Sequence, residues 1–312
     1  MSVSTPLTPS VTTARWPWRA AMIARISDYS QLIKPRISLM VLLTVSVGYL
    51  LAGEGSASVS PLLHAWLGIA LVAAGSSSLN QWWERQTDGR MQRTRGRPLP
   101  SRRLSSTEVV LFGVTAAAAG TVYLWTCVNP LTALLTLSTL LMYVFVYTPL
   151  KPKTILCTTL GAVPGALPPV LGWVAAGREL DAGALSLFAI LFLWQFPHFL
   201  AIAWLYRDDY ASAGLKMLPT GLHADRIIGL VATAYALCLI PASLLPVAIH
   251  LAGGAYGLCA VTLGSIYLFA AIQFARRPER RTARGLLATS LIYLPLLLTI
   301  LTWEHWRGLA WS

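Results

Sequence analysis

Residues 63–88 read LHAWLGIALVAAGSSSLNQWWERQTD, and the first 21 of them contain no Asp, Glu, Lys or Arg. An uncharged run of about 20 residues is what an α-helix needs to cross the hydrocarbon core of a membrane. The run ends at Glu84, so carboxylates first occur where such a helix would leave the membrane. This stretch therefore predicts a transmembrane helix that carries acidic side chains at one end.

The same pattern recurs along the chain. Nine uncharged runs of comparable length occur: 37–53, 63–83, 109–128, 131–148, 154–177, 182–206, 227–249, 251–275 and 285–303. Only 12% of the 312 residues are charged and the mean hydropathy is +0.61, which excludes a water-soluble enzyme. None of the runs alternates apolar and polar residues as the strands of a membrane barrel do. We predict an all-α integral membrane protein with nine transmembrane helices, the fifth broken by residues such as Gly161, Pro164 and Pro168.

The basic residues indicate how these helices are oriented. If the N-terminus is cytoplasmic, 22 of the 24 Lys and Arg residues fall in inner segments, which leaves Arg178 and Arg307 outside. Such an excess is typical of cytoplasmic loops, and it explains the net charge of +12 without nucleic acid as a partner. We predict a cytoplasmic tail at 1–30, a single domain at 31–305 and a short outer tail at 306–312. We expect a bacterial inner membrane rather than a mitochondrial one.

Two inner loops begin with carboxylates. Asn80, Glu84 and Asp88 are spaced by four residues, so their side chains line one face of a helix. Asp208 and Asp209 follow the sixth run in the same way. Four helices separate the two motifs, which suggests two related four-helix halves and one extra helix around a central cavity.

Carboxylates at a membrane helix end are costly unless they bind something or face water. Mg²⁺ favours one or two carboxylates together with phosphate oxygens, so a diphosphate on a lipid tail would suit this end of the protein. The candidate metal ligands are Asn80, Glu84, Asp88, Asp208 and Asp209. The cations that could neutralise the remaining diphosphate charge are Arg93, Arg97, Lys151, Lys153 and Arg207. The alternative is that these acids only pair with neighbouring arginines in solvated loops.

Four segments carry a resemblance to a known family. They are NQWWERQTDGRMQRTRGRPLP at 80–100, YTPLKPKT at 147–154, GALPPVLGW at 165–173 and WQFPHFLAIAWLYRDDYASAGLKMLP at 194–219. Together they resemble the intramembrane UbiA-type prenyltransferase superfamily, and more narrowly its protohaem IX farnesyltransferase (haem O synthase) family. The resemblance extends from about residue 32 to residue 303. It departs from the wider superfamily at Glu84, where Asp is common, and at Asp208, where the second motif lacks the usual spacing.

The resemblance implies an Mg²⁺-dependent prenyltransferase of haem A biosynthesis. Its substrates would be farnesyl diphosphate and haem B, its product would be haem O, and haem A synthase would be a further partner. It implies catalytic roles for Asn80, Glu84, Asp88 and Asp209, and it favours Asp209 over its neighbour as a metal ligand. A prenyltransferase with another aromatic acceptor is the alternative. A secondary transporter is less favoured, because the acids lie at helix ends rather than at the bilayer midplane.

Aromatic residues would shelter the allylic cation of such a reaction from water. The candidates are Trp82, Trp83, Tyr147, Trp194 and Phe199. His198 allows two interpretations. It could bind haem, through the iron or a propionate, or it could be a structural residue bonded to a carbonyl that Pro197 frees in the preceding turn.

The topology can be tested with single cysteines at positions 95 and 280, introduced after the four natural cysteines are replaced. We expect a membrane-impermeant maleimide to label both in inside-out vesicles and neither in intact cells, because both positions lie in predicted cytoplasmic loops. Labelling of either position in intact cells would contradict the predicted orientation.

Overall fold

The structure is a computed structural model that describes residues 17–53 and 59–311. Those residues contain helices and connecting turns, and no strand occurs among them. The helices are α1 (Pro17–Ile33), α2 (Pro35–Ala52), α3 (Val59–Arg90), α4 (Ser106–Cys127), α5 (Pro130–Leu141), α6 (Thr148–Leu150), α7 (Cys157–Ala166), α8 (Pro168–Ala175), α9 (Ala182–Leu205), α10 (Arg207–Ser212), α11 (Ala224–Ala248), α12 (Gly254–Arg276) and α13 (Arg280–Trp311).

The nine predicted spans are confirmed in the described part of the chain. The segments long and apolar enough to cross a membrane are Pro35–Ala52, Val59–Arg90, Ser106–Cys127, Pro130–Leu150, Cys157–Ala175, Ala182–Leu205, Ala224–Ala248, Gly254–Arg276 and Arg280–Gly308. Side chains cap several of them. Ser105 accepts a hydrogen bond from the Glu108 N–H at the start of α4, and Asp181 accepts from two N–H groups at the start of α9.

The fifth span is broken, as its glycines and prolines predicted. α7 ends at Ala166, Leu167 lies between the helices, and α8 begins at Pro168. A proline fits the first turn of a helix because no partner exists there for its missing N–H. Every residue of α8 is buried, so protein covers the irregular backbone.

A second irregularity was not predicted from the sequence. Met142–Tyr147, between α5 and α6, forms a π-helical turn. Pro149 lacks an N–H and its ring would clash with the carbonyl four residues earlier, and a locally widened helix relieves both problems. The N–H of Thr148 donates to the carbonyl of Tyr143, five residues before it. The turn places Tyr143, Tyr147 and Thr148 next to α3.

Both predicted tails contain helix. Residues 17–30 belong to α1. An ion pair of Asp28 with Arg103 at 2.7 Å joins α1 to the loop between α3 and α4, and one of Arg25 with Glu108 at 2.8 Å joins it to α4. At the other end, α13 continues to Trp311. Residues 1–16 and 312 of the predicted tails lie outside the described residues.

Two hydrophobic clusters fill the bundle. One is formed mainly by α9, α11, α12 and α13, and the other by α3, α4 and α5 together with residues of α2 and α8. The two related four-helix halves stay a prediction, because residues of α2 and α8 contribute to both clusters. Helices α2 and α8 cross closely, because a Cβ atom on Gly172 would meet the carbonyl of Val45 and one on Gly48 would meet that of Pro169.

We expect Gly172→Ala to lower the apparent thermal midpoint, because the added methyl must push α2 away from α8, at a cost of about 1–3 kcal/mol. Gly285→Ala in α13 is the matched control, since nothing lies within 4 Å of a Cβ atom at that position. Thermal unfolding of both purified variants checks this. Equal midpoints would show that the crossing relaxes without cost.

Candidate active site

One face of α3 carries three predicted ligands at the end where the basic loops lie. Asn80 and Asp88 are fully buried, and Glu84 lies between them with partial exposure. The amide of Asn80 donates from Nδ2 to Oγ1 of Thr148 at 2.9 Å. The structure therefore brings all three side chains to one face and links that face to the π-helical turn.

Two predicted cations reach this face from different loops. Arg97 Nη1 lies 2.7 Å from Asp88 Oδ2, and Lys151 Nζ lies 2.5 Å from Glu84 Oε1. Burial alone would lower the pKa of Lys151, but the adjacent Tyr147 and Glu84 hold that pKa well above its usual range. The ammonium group is therefore charged at neutral pH. Each carboxylate thus has a cation beside it that could instead bind an incoming anion.

Successive turns after α3 deliver Arg97 to this position. The hydroxyl of Thr94 donates to the carbonyl of Asp88 at 2.9 Å, and the N–H of Arg97 donates to the carbonyl of Thr94 at 3.0 Å. Leu99 and Leu104 are buried in a small cluster beneath these turns. The loop is therefore anchored by its own apolar residues.

Two buried oxygens on this face lack a partner. Oδ1 of Asn80 and Oδ1 of Asp88 receive no hydrogen bond from the described residues. A buried acceptor without a donor is unfavourable, and oxygen atoms are the ligands that Mg²⁺ prefers. Within residues 17–53 and 59–311 no three His, Cys, Asp or Glu side chains come together as a metal site. The protein oxygens on this face therefore do not complete the coordination of a metal ion by themselves. They fit a Mg²⁺ ion that takes its remaining ligands from water and phosphate oxygens.

The second acidic motif lies against the segment that follows α3. Oδ1 of Asp209 accepts from the Gln92 N–H at 3.4 Å, and Arg93 Nη2 donates to the Tyr210 hydroxyl at 3.4 Å. The side chain of Asp208 is 87% exposed. The two neighbouring carboxylates therefore differ: Asp209 faces the first motif and Asp208 faces away.

Two of the predicted diphosphate-binding cations lie apart from the α3 face. The guanidinium of Arg207 lies 4.2 Å from the centre of the Trp204 ring and 4.0 Å from Asp208. Lys153 is exposed, and its side chain contacts no acid in the described part of the chain. Neither residue is held beside Glu84 or Asp88 in the way that Arg97 and Lys151 are.

The predicted aromatic wall is only partly assembled. The Tyr147 ring lies 4.3 Å from Lys151 Nζ and therefore belongs to the site. Trp83 is 40% exposed and Phe199 is 43% exposed. Trp82 packs in the small apolar cluster under the loop that follows α3. Trp83 and Trp82 precede Glu84, the middle residue of the ligand face, by one and two residues. At about 100° per residue they therefore point about 100° and about 160° away from that face.

His198 has a different partner from the one expected. Its Nδ1 lies 2.8 Å from Oγ of Ser290 on α13, whereas the expected partner was the carbonyl that Pro197 frees. The Trp194 ring stacks on the imidazole with 5.0 Å between ring centres. α9 ends at Leu205, so His198 lies about 10 Å inside the membrane from that end, at 1.5 Å per residue.

Lys34 is a site residue that the sequence analysis missed. It lies between α1 and α2 with a left-handed φ of 49°, and its ammonium interacts electrostatically with Arg97, Glu84, Lys151 and Asp88. Burial and then the nearby Arg97 lower the pKa of Lys34 to about 8. The signal that could have revealed it is a basic residue directly before the proline that opens the first span.

Comparison with known proteins establishes the family. Residues 41–306 match the model of the UbiA prenyltransferase family, and the chain therefore belongs to that family. Among its relatives, the protoheme IX farnesyltransferase of Solibacter usitatus is 43% identical over 279 residues, which cover 86% of this chain and 96% of that protein. The protoheme IX farnesyltransferase of Koribacter versatilis is 41% identical over 293 residues, covering 91% and 94% of the two chains.

Solved structures share the fold at low sequence identity. A structure of digeranylgeranylglyceryl phosphate synthase has a TM-score of 0.77 at 16% identity and covers 91% of this chain and 99% of that one. A UbiA homologue from Archaeoglobus fulgidus bound to GPP and Mg²⁺ has a TM-score of 0.60 at 18% identity and covers 88% and 99%. The helical arrangement of the described residues is therefore that of these solved structures.

The protonation of Lys34 can be tested through the pH dependence of diphosphate binding. As the pH rises through about 8, Lys34 loses its charge, so we expect the KM for a prenyl diphosphate to rise. Lys34→Arg should flatten this rise, because a guanidinium stays charged, and Lys34→Met should raise the KM about tenfold at neutral pH. An alkaline rise that is identical in Lys34→Arg and in the parent would assign it to another group.

Proposed function

We propose that this protein transfers the farnesyl group of farnesyl diphosphate to a vinyl group of haem B and so produces haem O. The observation that carries the proposal is the pair of carboxylate–cation contacts, Asp88 with Arg97 and Glu84 with Lys151, at the basic end of a membrane bundle. An anionic head group would bind there while its apolar tail lies between helices. The choice of substrates follows the relatives, whose names specify protoheme IX and a farnesyl group.

A Mg²⁺ ion is part of the proposal. Asn80, Glu84 and Asp88 would hold it from α3, and Asp209 would hold it from the second motif. The unpartnered Oδ1 atoms of Asn80 and Asp88 support this assignment, as does the Mg²⁺ bound together with GPP in the UbiA homologue from Archaeoglobus fulgidus. Bound Mg²⁺ supplies neutralising charge to diphosphate oxygens, which makes diphosphate a better leaving group.

The cations divide into two groups by position. Arg97, Lys151 and Lys34 lie around the α3 face and would contact diphosphate oxygens directly, since each can turn from a carboxylate or a neighbouring charge to the anion. Arg93 lies beside the second motif through Tyr210 and would bind from that side. Lys153 and Arg207 are placed further out, so they would attract the substrate without holding it.

The reaction breaks the bond between the first farnesyl carbon and the diphosphate oxygen, and the electron pair leaves with diphosphate. The vinyl group of haem then attacks the allylic cation through its terminal carbon. Water adds to the carbon next to the porphyrin ring and releases a proton, which gives a hydroxyethylfarnesyl substituent. Tyr147 and Trp194 would shield the cation with their π faces, while Trp82, Trp83 and Phe199 point elsewhere.

We further propose a bacterial inner membrane as the location, with the basic loops cytoplasmic and haem A synthase as the partner that receives the product. The cation distribution supports that orientation.

The function can be tested with purified protein, farnesyl diphosphate, haem B and Mg²⁺. We expect haem O by mass spectrometry, and we expect Asp88→Asn to lower the rate on the order of 10²-fold because it removes charge stabilisation from the leaving group. Asp208→Asn is the matched control, since that carboxylate is exposed, and its rate should stay within about twofold of the parent.

Two results would contradict the proposal. If the protein prenylates a hydroxybenzoate or naphthoate but not haem, the acceptor is wrong. If Asp88→Asn and Asp208→Asn have equal effects, the α3 face does not carry the chemistry.

A further inference from the structure

His198 belongs to a buried cluster that joins α9 to α13. Its Nδ1 lies 2.8 Å from Ser290 Oγ, and the indole N–H of Trp194 donates to the Ser290 carbonyl at 2.9 Å. The hydroxyl of Tyr267, on α12, donates to the carbonyl of Trp194 at 3.0 Å. Three helices thus hold the imidazole and the indole that stacks on it.

The hydrogens of this cluster determine the tautomer of His198. Ser290 Oγ has a single hydrogen, and the oxygen lies 2.6 Å from the carbonyl of Leu287, which can only accept. We assign the hydroxyl hydrogen to that contact, so Oγ accepts the hydrogen bond from His198. The proton of the imidazole therefore lies on Nδ1, and Nε2 carries an unprotonated lone pair.

The surroundings favour a neutral ring. Its contacts in the described part of the chain are the Ser290 hydroxyl and the rings of Trp194 and Phe199. An imidazolium would have no carboxylate partner among them, and an unpaired charge away from water is costly. When Nδ1 of a neutral imidazole already donates a hydrogen bond, the only group that the ring can offer to a bound molecule is the lone pair of Nε2.

We propose that Ser290 is a positioning residue that holds His198 as the axial ligand of the iron of bound haem. The inference rests on the proposed function, and it chooses between the two haem contacts that the sequence left open. A propionate needs a hydrogen-bond donor and would be repelled by a lone pair, whereas haem iron accepts one. A serine oxygen that accepts from Nδ1–H also orients the ring and makes Nε2 a better donor.

The depth of His198 fits a macrocycle. The ring lies about 10 Å from the end of α9, at 1.5 Å per residue. The apolar face of a porphyrin would lie between helices at this depth. Its vinyl edge could then extend towards the diphosphate, while the iron is held by α9.

The experiment compares an iron-containing ligand with an iron-free one on the full-length protein in detergent micelles. Ferric protoporphyrin IX is titrated and followed by its Soret band and by electron paramagnetic resonance. Metal-free protoporphyrin IX is titrated and followed by fluorescence. The variants are His198→Ala, Ser290→Ala and, as a matched control, Ser138→Ala, whose hydroxyl donates only to a carbonyl of its own helix.

We expect His198→Ala to weaken binding of the ferric compound by more than about tenfold, to abolish the nitrogen-ligand spectrum, and to regain it when free imidazole is added. Ser290→Ala should weaken binding of the ferric compound about tenfold, because loss of a partner that orients a metal ligand has that effect. Binding of metal-free protoporphyrin should stay within about threefold in every variant, and Ser138→Ala should match the parent with both ligands.

If His198→Ala weakens binding of both porphyrins equally, the inference is overturned, since that result would indicate that His198 only packs against its neighbours. An unchanged spectrum in His198→Ala would do the same. Haem O formation is measured separately on the same samples. A parent that shows His198-dependent ligation but forms no haem O would refute the proposed function and leave the ligand assignment standing. Normal haem O formation with an unchanged spectrum in His198→Ala would refute only the ligand assignment.

Discussion

The site depends on how charges are accommodated at the end of a membrane helix. Asp88 is 0% exposed, and a carboxylate removed from water costs several kcal/mol unless a cation and hydrogen bonds compensate it. Arg97, from the loop after α3, pairs with Oδ2 of Asp88 and leaves Oδ1 without a donor among the described residues. Lys151 pairs with Glu84 from a loop 67 residues away. The two ion pairs therefore tie separate loops to one helix face. They also concentrate the cations and oxygens that a diphosphate and a metal ion need.

One irregular helix contacts the same face, and a second is stabilised by its neighbours. Pro149 produces the π-helical turn that brings Thr148 within 2.9 Å of Asn80. The break at Leu167 is covered by its neighbours, and the buried amide of Gln195 donates to the carbonyl of Ala162 at 2.8 Å. Backbone groups in a membrane must be satisfied within the protein. These breaks are therefore tolerated only because adjacent helices supply hydrogen bonds and packing.

Much of this architecture follows from short windows of sequence. Membrane-spanning length requires only about 20 apolar residues, so the nine spans were predictable from the uncharged runs. The broken fifth span was predictable from Pro164 and Pro168, and the shared face of Asn80, Glu84 and Asp88 from their spacing of four. Each of these features is decided within one helix, by covalent geometry and hydrogen bonding between near neighbours. The helix at residues 17–30 was missed because charged residues interrupt this segment, which therefore contains no uncharged run of membrane-spanning length.

Only the tertiary structure decided which residues meet. Spacing placed Asp208 and Asp209 together, but the packing of α10 turned only Asp209 to the first motif. Lys34 entered the site because a left-handed residue separates α1 from α2. Ser290, 92 residues from His198, became its partner because α13 packs against α9. Rotations of helices about their axes and returns of loops bring distant residues together, and no local pattern of side chains encodes them.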